Sequence, residues 1–174
     1  MIKGIANLLV ALNGNVKKGQ IAAGLAWGLL LGLVPAGSFF WIILLVVSFL
    51  FSHHHGSKIL VMAIVKLILP MLAPPIDLLG WEILHAAPLQ GLFTSLYNMP
   101  FVPYTKFNNT LVAGGIAAGI VLSALLFFIS MPLIDLYRKT IGHRIREFKV
   151  VKIILKFPLF KAIDSAIAAM NKGK

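Results

Sequence analysis

Residues 21–51 read IAAGLAWGLLLGLVPAGSFFWIILLVVSFLF, 31 residues without a charge. As one straight helix they would reach about 46 Å, against a bilayer hydrocarbon core of about 30 Å. Near the middle stands Gly32-Leu-Val-Pro35-Ala-Gly37. Pro35 has no amide proton and Gly37 tolerates backbone angles closed to other residues, so the chain is expected to turn there. Each arm then holds about 15 residues, roughly 22 Å of helix, which is short for a full crossing. A re-entrant helical hairpin that enters and leaves on one side fits those lengths. The first arm carries Gly24, Gly28 and Gly32 at four-residue spacing, with Trp27 and Leu31 beside them. Small residues so spaced let another helix backbone approach closely in lipid, and the second arm, Ser38 to Phe51, is the expected partner. Packing alone accounts for the glycines. A polar-lined tip at Pro35 and Gly37 is the functional reading, and the two are compatible.

Composition supports a membrane setting. Of 174 residues, 59% are hydrophobic and 12% charged, with a mean hydropathy of +0.93, whereas soluble domains carry about 25% charged residues. The formal net charge of +11 would suggest nucleic acid in a chain of ordinary hydropathy. Here the basic residues crowd the ends of apolar segments, so anionic lipid headgroups are the expected partners and nucleic acid is not. There is no cysteine, which removes disulfides and thiolate chemistry.

Outward from the hairpin the chain divides into three parts. Residues 1–18 form an N-terminal amphipathic segment in which Ile2, Ile5, Leu8, Leu9 and Leu12 recur at helical spacing and no small-residue cleavage site follows. Residues 19–137 form the membrane domain: the hairpin 21–51, a broken helix 59–84 containing Pro70, Pro74 and Pro75, an interfacial loop 86–109 rich in Phe and Tyr, and a transmembrane helix 111–131. The last has Gly115 and Gly119 as a second small-residue face. Residues 138–174 form a basic tail, in which Ile141, Ile145, Phe148, Val151 and Ile154 alternate with Arg144, Arg146, Lys149, Lys152 and Lys156. That is the pattern of a cationic amphipathic helix on an anionic surface. Lys3, Lys17, Lys18 and the tail put both termini in the cytoplasm by the positive-inside rule, which requires an even number of crossings. The fold class is therefore an all-α membrane protein with a re-entrant helical hairpin, about two transmembrane helices and amphipathic interfacial helices at both ends. Four complete but short crossings satisfy the same parity.

Candidate chemistry is sparse. His53, His54 and His55 read as a solvated turn rather than a metal site, His85 and His143 are isolated, and no H-E-x-x-H spacing exists. Neither catalytic residues nor a cofactor is expected. Lys66, Asp77 and Glu82 are ionisable groups within apolar segments, costly unless paired or facing water. They are candidate lipid-headgroup or polar-cavity contacts. Asp135 precedes Arg138 and Lys139 by three and four residues, the spacing of a helix-surface ion pair.

The glycine-spaced helix running into Pro35, followed by an apolar arm and a second region ending near Pro74-Pro75, resembles a bacterial inner-membrane family of unknown function. The order of segments resembles a subfamily encoded as one half of a two-gene pair in bacteria with an outer membrane. Its paired gene looks like a large, singly anchored periplasmic protein, similar to bridge-like lipid carriers. The resemblance covers roughly residues 17–139, although Gly37 follows Pro35 by two residues rather than three. It implies an inner-membrane subunit that loads phospholipid into, or anchors, a periplasm-spanning lipid-transfer protein. A homo-oligomeric channel for small solutes or ions, and a membrane anchor without a transport role, are the alternatives.

Overall fold

A glycine at every fourth position strips one side of a helix down to its backbone, and whatever packs there must bring side chains that fill the groove. In the computed structural model, which describes residues 16–140, α1 (Lys18–Leu33) offers that side to α3 (His55–His85) rather than to α2 (Phe39–Phe49). A Cβ built on Gly28 would stand 2.5 Å from the Lys58 carbonyl oxygen and 2.9 Å from Val61 Cβ, and one on Gly32 would stand 2.5 Å from Val65 Cβ. At Gly24 it would run into Ser57 Oγ and the His54 carbonyl. The expected pairing of α1 with the second arm is thus corrected. The reason is shape: α2 carries a large side chain at every position from Phe39 to Val47, so its backbone cannot settle into the groove, whereas Val61 and Val65 project single β-branched knobs into it.

The ascending contacts 24 to 54, 28 to 58 and 32 to 65 make α1 and α3 parallel. α2 runs back between them in sequence but outside them in space, and Ser48 is its one buried residue. The third member of the bundle is α5 (Thr110–Thr140), antiparallel to both. Gly115 lies against Leu33 and Gly119 against Leu30, while Ile134 joins Ile21 and Ala22 in a buried cluster at the other end. Gly114, next to Gly115 on the helix circumference, faces α3 instead. A Cβ there would strike the Ile76 carbonyl, and one on the opposing Gly80 would strike the Thr110 carbonyl.

Two further expectations are corrected. The segment 59–84 is not broken, because α3 is one 31-residue helix that includes Pro70, Pro74 and Pro75. These prolines lie on its exposed side, where the ring meets no neighbouring helix and the carbonyls left without donors are those of Lys66, Pro70 and Met71. Asp135 pairs across the bundle rather than along its own helix: Lys18 Nζ lies 2.5 Å from its carboxylate. Arg138 instead donates to the Val16 carbonyl at 2.6 Å. Both contacts follow from the antiparallel docking of α5 on α1, which brings residues 16–18 to the level of 135–138.

The transmembrane candidate 111–131 extends through Pro132 to Thr140. Residues 86–109 form two 3-10 turns, Ala87–Leu89 and Val102–Thr105, around the short α4 (Gln90–Tyr97). α3 and α5 are each long and apolar enough to cross a membrane, and only 17% and 22% of their most apolar stretches are buried. The core helix of a soluble protein would be mostly covered. Here Ile59, Leu67, Met71, Leu78, Val121, Leu125, Phe128 and Leu133 stand exposed along their length, an outward apolar surface suited to lipid tails. The N-terminal amphipathic piece and the basic tail with Arg144, Arg146, Lys149, Lys152 and Lys156 lie outside the described residues.

Candidate functional site

Because α2 cannot close on α1, side chains reaching across a seam hold it in place. At its start, the turn Val34–Ser38 is set by Gly37, whose φ of +91° belongs to the left-handed region that glycine enters without a steric cost. Ser38 caps α2, its Oγ accepting from Trp41 N at 3.1 Å and donating to the Pro35 carbonyl at 3.1 Å. Trp41 Nε1 donates to the Leu31 carbonyl at 2.9 Å, and Lys66 Nζ donates to the carbonyl of Val34, a residue with no exposed surface. These two donors serve the carbonyls that the end of α1 leaves without intrahelical partners, and a cation suits that end of a helix dipole. The Lys66 ammonium also lies 5.8 Å from the centre of the Trp41 ring.

At the other end of α2, Lys58 performs the equivalent task. It is 2% exposed, donates to Ser48 Oγ at 2.9 Å and lies 4.1 Å from the centre of the Phe49 ring. Lys58 and Lys66 are eight residues apart on α3, about 12 Å along the axis and on nearly one face. No carboxylate lies within ion-pairing distance of either among the described residues, where Lys18–Asp135 is the ion pair found. Two lysines facing a seam in an apolar bundle, partnered by a hydroxyl, a carbonyl and two aromatic faces, are equipped to take an anion.

Beside Lys58 the chain folds back through His53 and His54. The His54 amide donates to the Gln20 carbonyl at 2.9 Å, and its Nδ1 accepts from Ser57 N at 3.0 Å, capping α3. His53 is 7% exposed; its Nδ1 meets the Phe51 carbonyl at 2.8 Å, while Nε2 is buried without a partner. Burial, and then the Lys58 and His55 charges, lower its pKa from 6.5 to about 4. The ring is therefore neutral at pH 7.

Of the residues singled out from sequence, the fold joins Lys66 to the Pro35–Gly37 turn and sets Gly24, Gly28 and Gly32 behind that turn as the dock for α3. It does not join the three ionisable residues of α3. Asp77, about 16 Å beyond Lys66 along the axis, accepts from Thr110 Oγ1 at the start of α5, and Glu82 is exposed further along. The sequence reads His53, His54 and His55 as a solvated turn and does not single out Lys58 or Ser48; the fold buries His53, Lys58 and Ser48. The available signal was the spacing of Lys58 and Lys66 at two helical turns. Near the far end of α3 a cavity of about 320 Å³ is lined by His85, Phe93, Tyr97, Asn98 and Phe107 among others. Among the described residues no group of three or more His, Cys, Asp or Glu side chains could hold a metal ion.

The chain is similar to a protein of Treponema pallidum (strain Nichols) described as uncharacterized. The two are 27% identical over 161 residues, which cover 92% of this chain and 99% of the relative. No family model matches the chain, and no solved structure does.

Proposed function

We propose that the chain is an inner-membrane subunit of a trans-envelope lipid-transport complex, with both termini cytoplasmic, that passes phospholipid toward a large periplasmic partner along the seam between α2 and α3. The observation that supports this most is the attachment of α2: a short apolar helix with one buried residue, Ser48, tied to α3 by the Lys58–Ser48 hydrogen bond and by the Lys66 ammonium beside the Trp41 ring, with no carboxylate on either lysine. Lipid tails can lie against the exposed apolar face of α2 while a headgroup exchanges Ser48 and the Val34 carbonyl for its own oxygens. The step of about 12 Å from Lys58 to Lys66 carries a headgroup about two-fifths of the way across the hydrocarbon core. α1 and α2 act as a re-entrant hairpin in this reading, since α1, 16 residues long, rises about 24 Å and falls short of the roughly 30 Å core. The resemblance to the two-gene subfamily supports the periplasmic partner.

Native mass spectrometry of the gently solubilised full chain tests the proposal. Retained phospholipid together with a large periplasmic protein is the expected result. A homo-oligomer enclosing a continuous wet pore would replace it with the channel reading, and a monomer with neither lipid nor partner would leave only an anchor.

A further inference from the structure

The far end of α3 closes on α4 and the start of α5 around the cavity of about 320 Å³, a volume at the lower end for small-ligand sites. Gln90 Nε2 donates to the Leu84 carbonyl at 2.6 Å and fixes α4 against the last turn of α3. Phe93 and Tyr97 stand one helical turn apart on α4 and line one side. Phe107 returns from the following loop to meet them, its ring centre 6.3 Å from that of Phe93. Lys106 makes that return possible: its φ of +56° lies in the left-handed region that side chains seldom adopt, and it turns the chain just before Phe107. One group can therefore lie within about 6 Å of both ring centres, the reach of a cation–π contact.

Charge selects a cation for those rings. None of the nine lining residues is Lys or Arg. α3 ends at this wall, so the negative end of a 31-residue helix dipole lies there. The opposing dipole at the start of α5 is already answered by Asn109 Oδ1, which accepts from Val112 N at 3.0 Å, and by Asp77, whose carboxylate accepts from the hydroxyl of the lining Thr110. Asp77 thus holds a negative charge one hydrogen bond from the cavity. His85 donates through Nδ1 to the Trp81 carbonyl at 2.9 Å, which makes Nε2 of the neutral ring an acceptor, and Asn98 and Asn108 add amide carbonyls. Aromatic faces and acceptors beside a carboxylate suit an ammonium group, which has N–H donors and no lone pair.

Depth names the source of the ammonium. The His54 amide is bonded to the Gln20 carbonyl, two residues from Lys18 and its Asp135 partner, so α3 begins at the charged belt of the bundle. Its 31 residues rise about 46 Å, whereas the hydrocarbon core is about 30 Å thick and the bilayer with its headgroups about 40–45 Å. The cavity at its far end therefore stands in the headgroup layer of the leaflet away from Lys18.

We infer that the cavity between the end of α3, α4 and Phe107 is a recognition site for a primary ammonium group, supplied by the ethanolamine headgroup of a phospholipid in that leaflet. The site stands on the cavity itself and not on the transport reading above.

The test is isothermal titration of the full chain in an uncharged detergent with short-chain phosphatidylethanolamine, phosphatidylglycerol of the same chain length, and ethanolamine. Preference between the two lipids is the quantity to read, because Lys58 and Lys66 offer nothing to an ammonium and favour neither headgroup for having one. Phosphatidylethanolamine should bind at least about fivefold more tightly than phosphatidylglycerol, the difference expected for one cation–π contact. Phe107→Leu keeps the apolar bulk and should abolish that preference without weakening phosphatidylglycerol binding, whereas Phe107→Tyr should retain it. Asp77→Asn keeps an acceptor for Thr110 but removes the charge, and should narrow the preference too; it carries the comparison if Phe107→Leu does not fold, as judged by circular dichroism. Equal binding of the two lipids by the wild-type chain, or an undiminished preference in a folded Phe107→Leu chain, overturns the site. Ethanolamine competing at similar concentration overturns the lipid as its source. A chain that retains lipid and its periplasmic partner yet shows no preference would overturn the site and leave the transport reading standing. The preference in a chain that retains no partner would do the reverse.

Discussion

Lys66 and His53 are side chains whose surroundings the fold changes in opposite ways. Lys66 gains the Val34 carbonyl and the Trp41 face, so Lys66→Met leaves a buried carbonyl without a donor. Such a loss costs about 1–3 kcal/mol; lower thermal stability and faster proteolysis near Pro35 are the expected readouts. His53 loses water and gains no partner for Nε2, and its folded pKa of about 4 lies below the ordinary 6.5. Between those values the unfolded chain binds a proton that the folded chain does not. The stability from this residue is thus complete above about pH 6.5 and is lost as pH falls toward 4. The loss is at most about 3 kcal/mol, at about 1.4 kcal/mol per pKa unit. Thermal unfolding at pH 7 and pH 4.5 should show the drop, and His53→Gln should flatten it. Neither environment was legible in the sequence. His53 looked like one of three histidines in a turn, because burial depends on which helices meet there.

At the scale of elements, glycines decide which helices touch. The α3–α5 crossing rests on Gly80 and Gly114, where an added Cβ would meet backbone atoms that cannot rotate away. Gly80→Ala and Gly114→Ala should each cost about 1–3 kcal/mol, as overpacking does. Gly19→Ala meets open space and should be neutral or stabilising by up to about 1 kcal/mol; unfolding of the three variants in one detergent separates these outcomes. Gly28→Leu should part α1 from α3, not α1 from α2. The four-residue glycine spacing was readable as a docking face and the face is used, but its partner was misread. Proximity in sequence favoured α2, and the bulk of Phe39 to Val47 excluded it. The three prolines of α3 were read as breaks, yet on an exposed face a proline removes hydrogen bonds without forcing a helix to end.

For the whole molecule, among the described residues, the long helices α1, α3 and α5 and the shorter α2 run alternately up and down in chain order, and α1, α3 and α5 pack together. The absence of cysteine makes single-cysteine labelling a direct test of the topology. With Lys17→Cys reached from the cytoplasmic face, Asn98→Cys should be labelled from the opposite face, since α3 lies between them. In the re-entrant reading Ala36→Cys should not be reached from the side that labels Asn98→Cys, and labelling there would make α1 and α2 complete crossings. What the sequence by itself determined is the class and the punctuation: an all-helical chain with apolar runs long enough to cross a membrane, a turn at Pro35–Gly37, and glycine faces meant for close packing. These depend on local composition and backbone freedom. Only the tertiary structure decided that α3 rather than α2 fills the α1 groove, that Asp135 answers Lys18, and that Lys58 and His53 are buried side by side. Those outcomes depend on which surfaces fit when distant segments meet, and complementarity of that kind is written in pairs of residues, not in any one stretch.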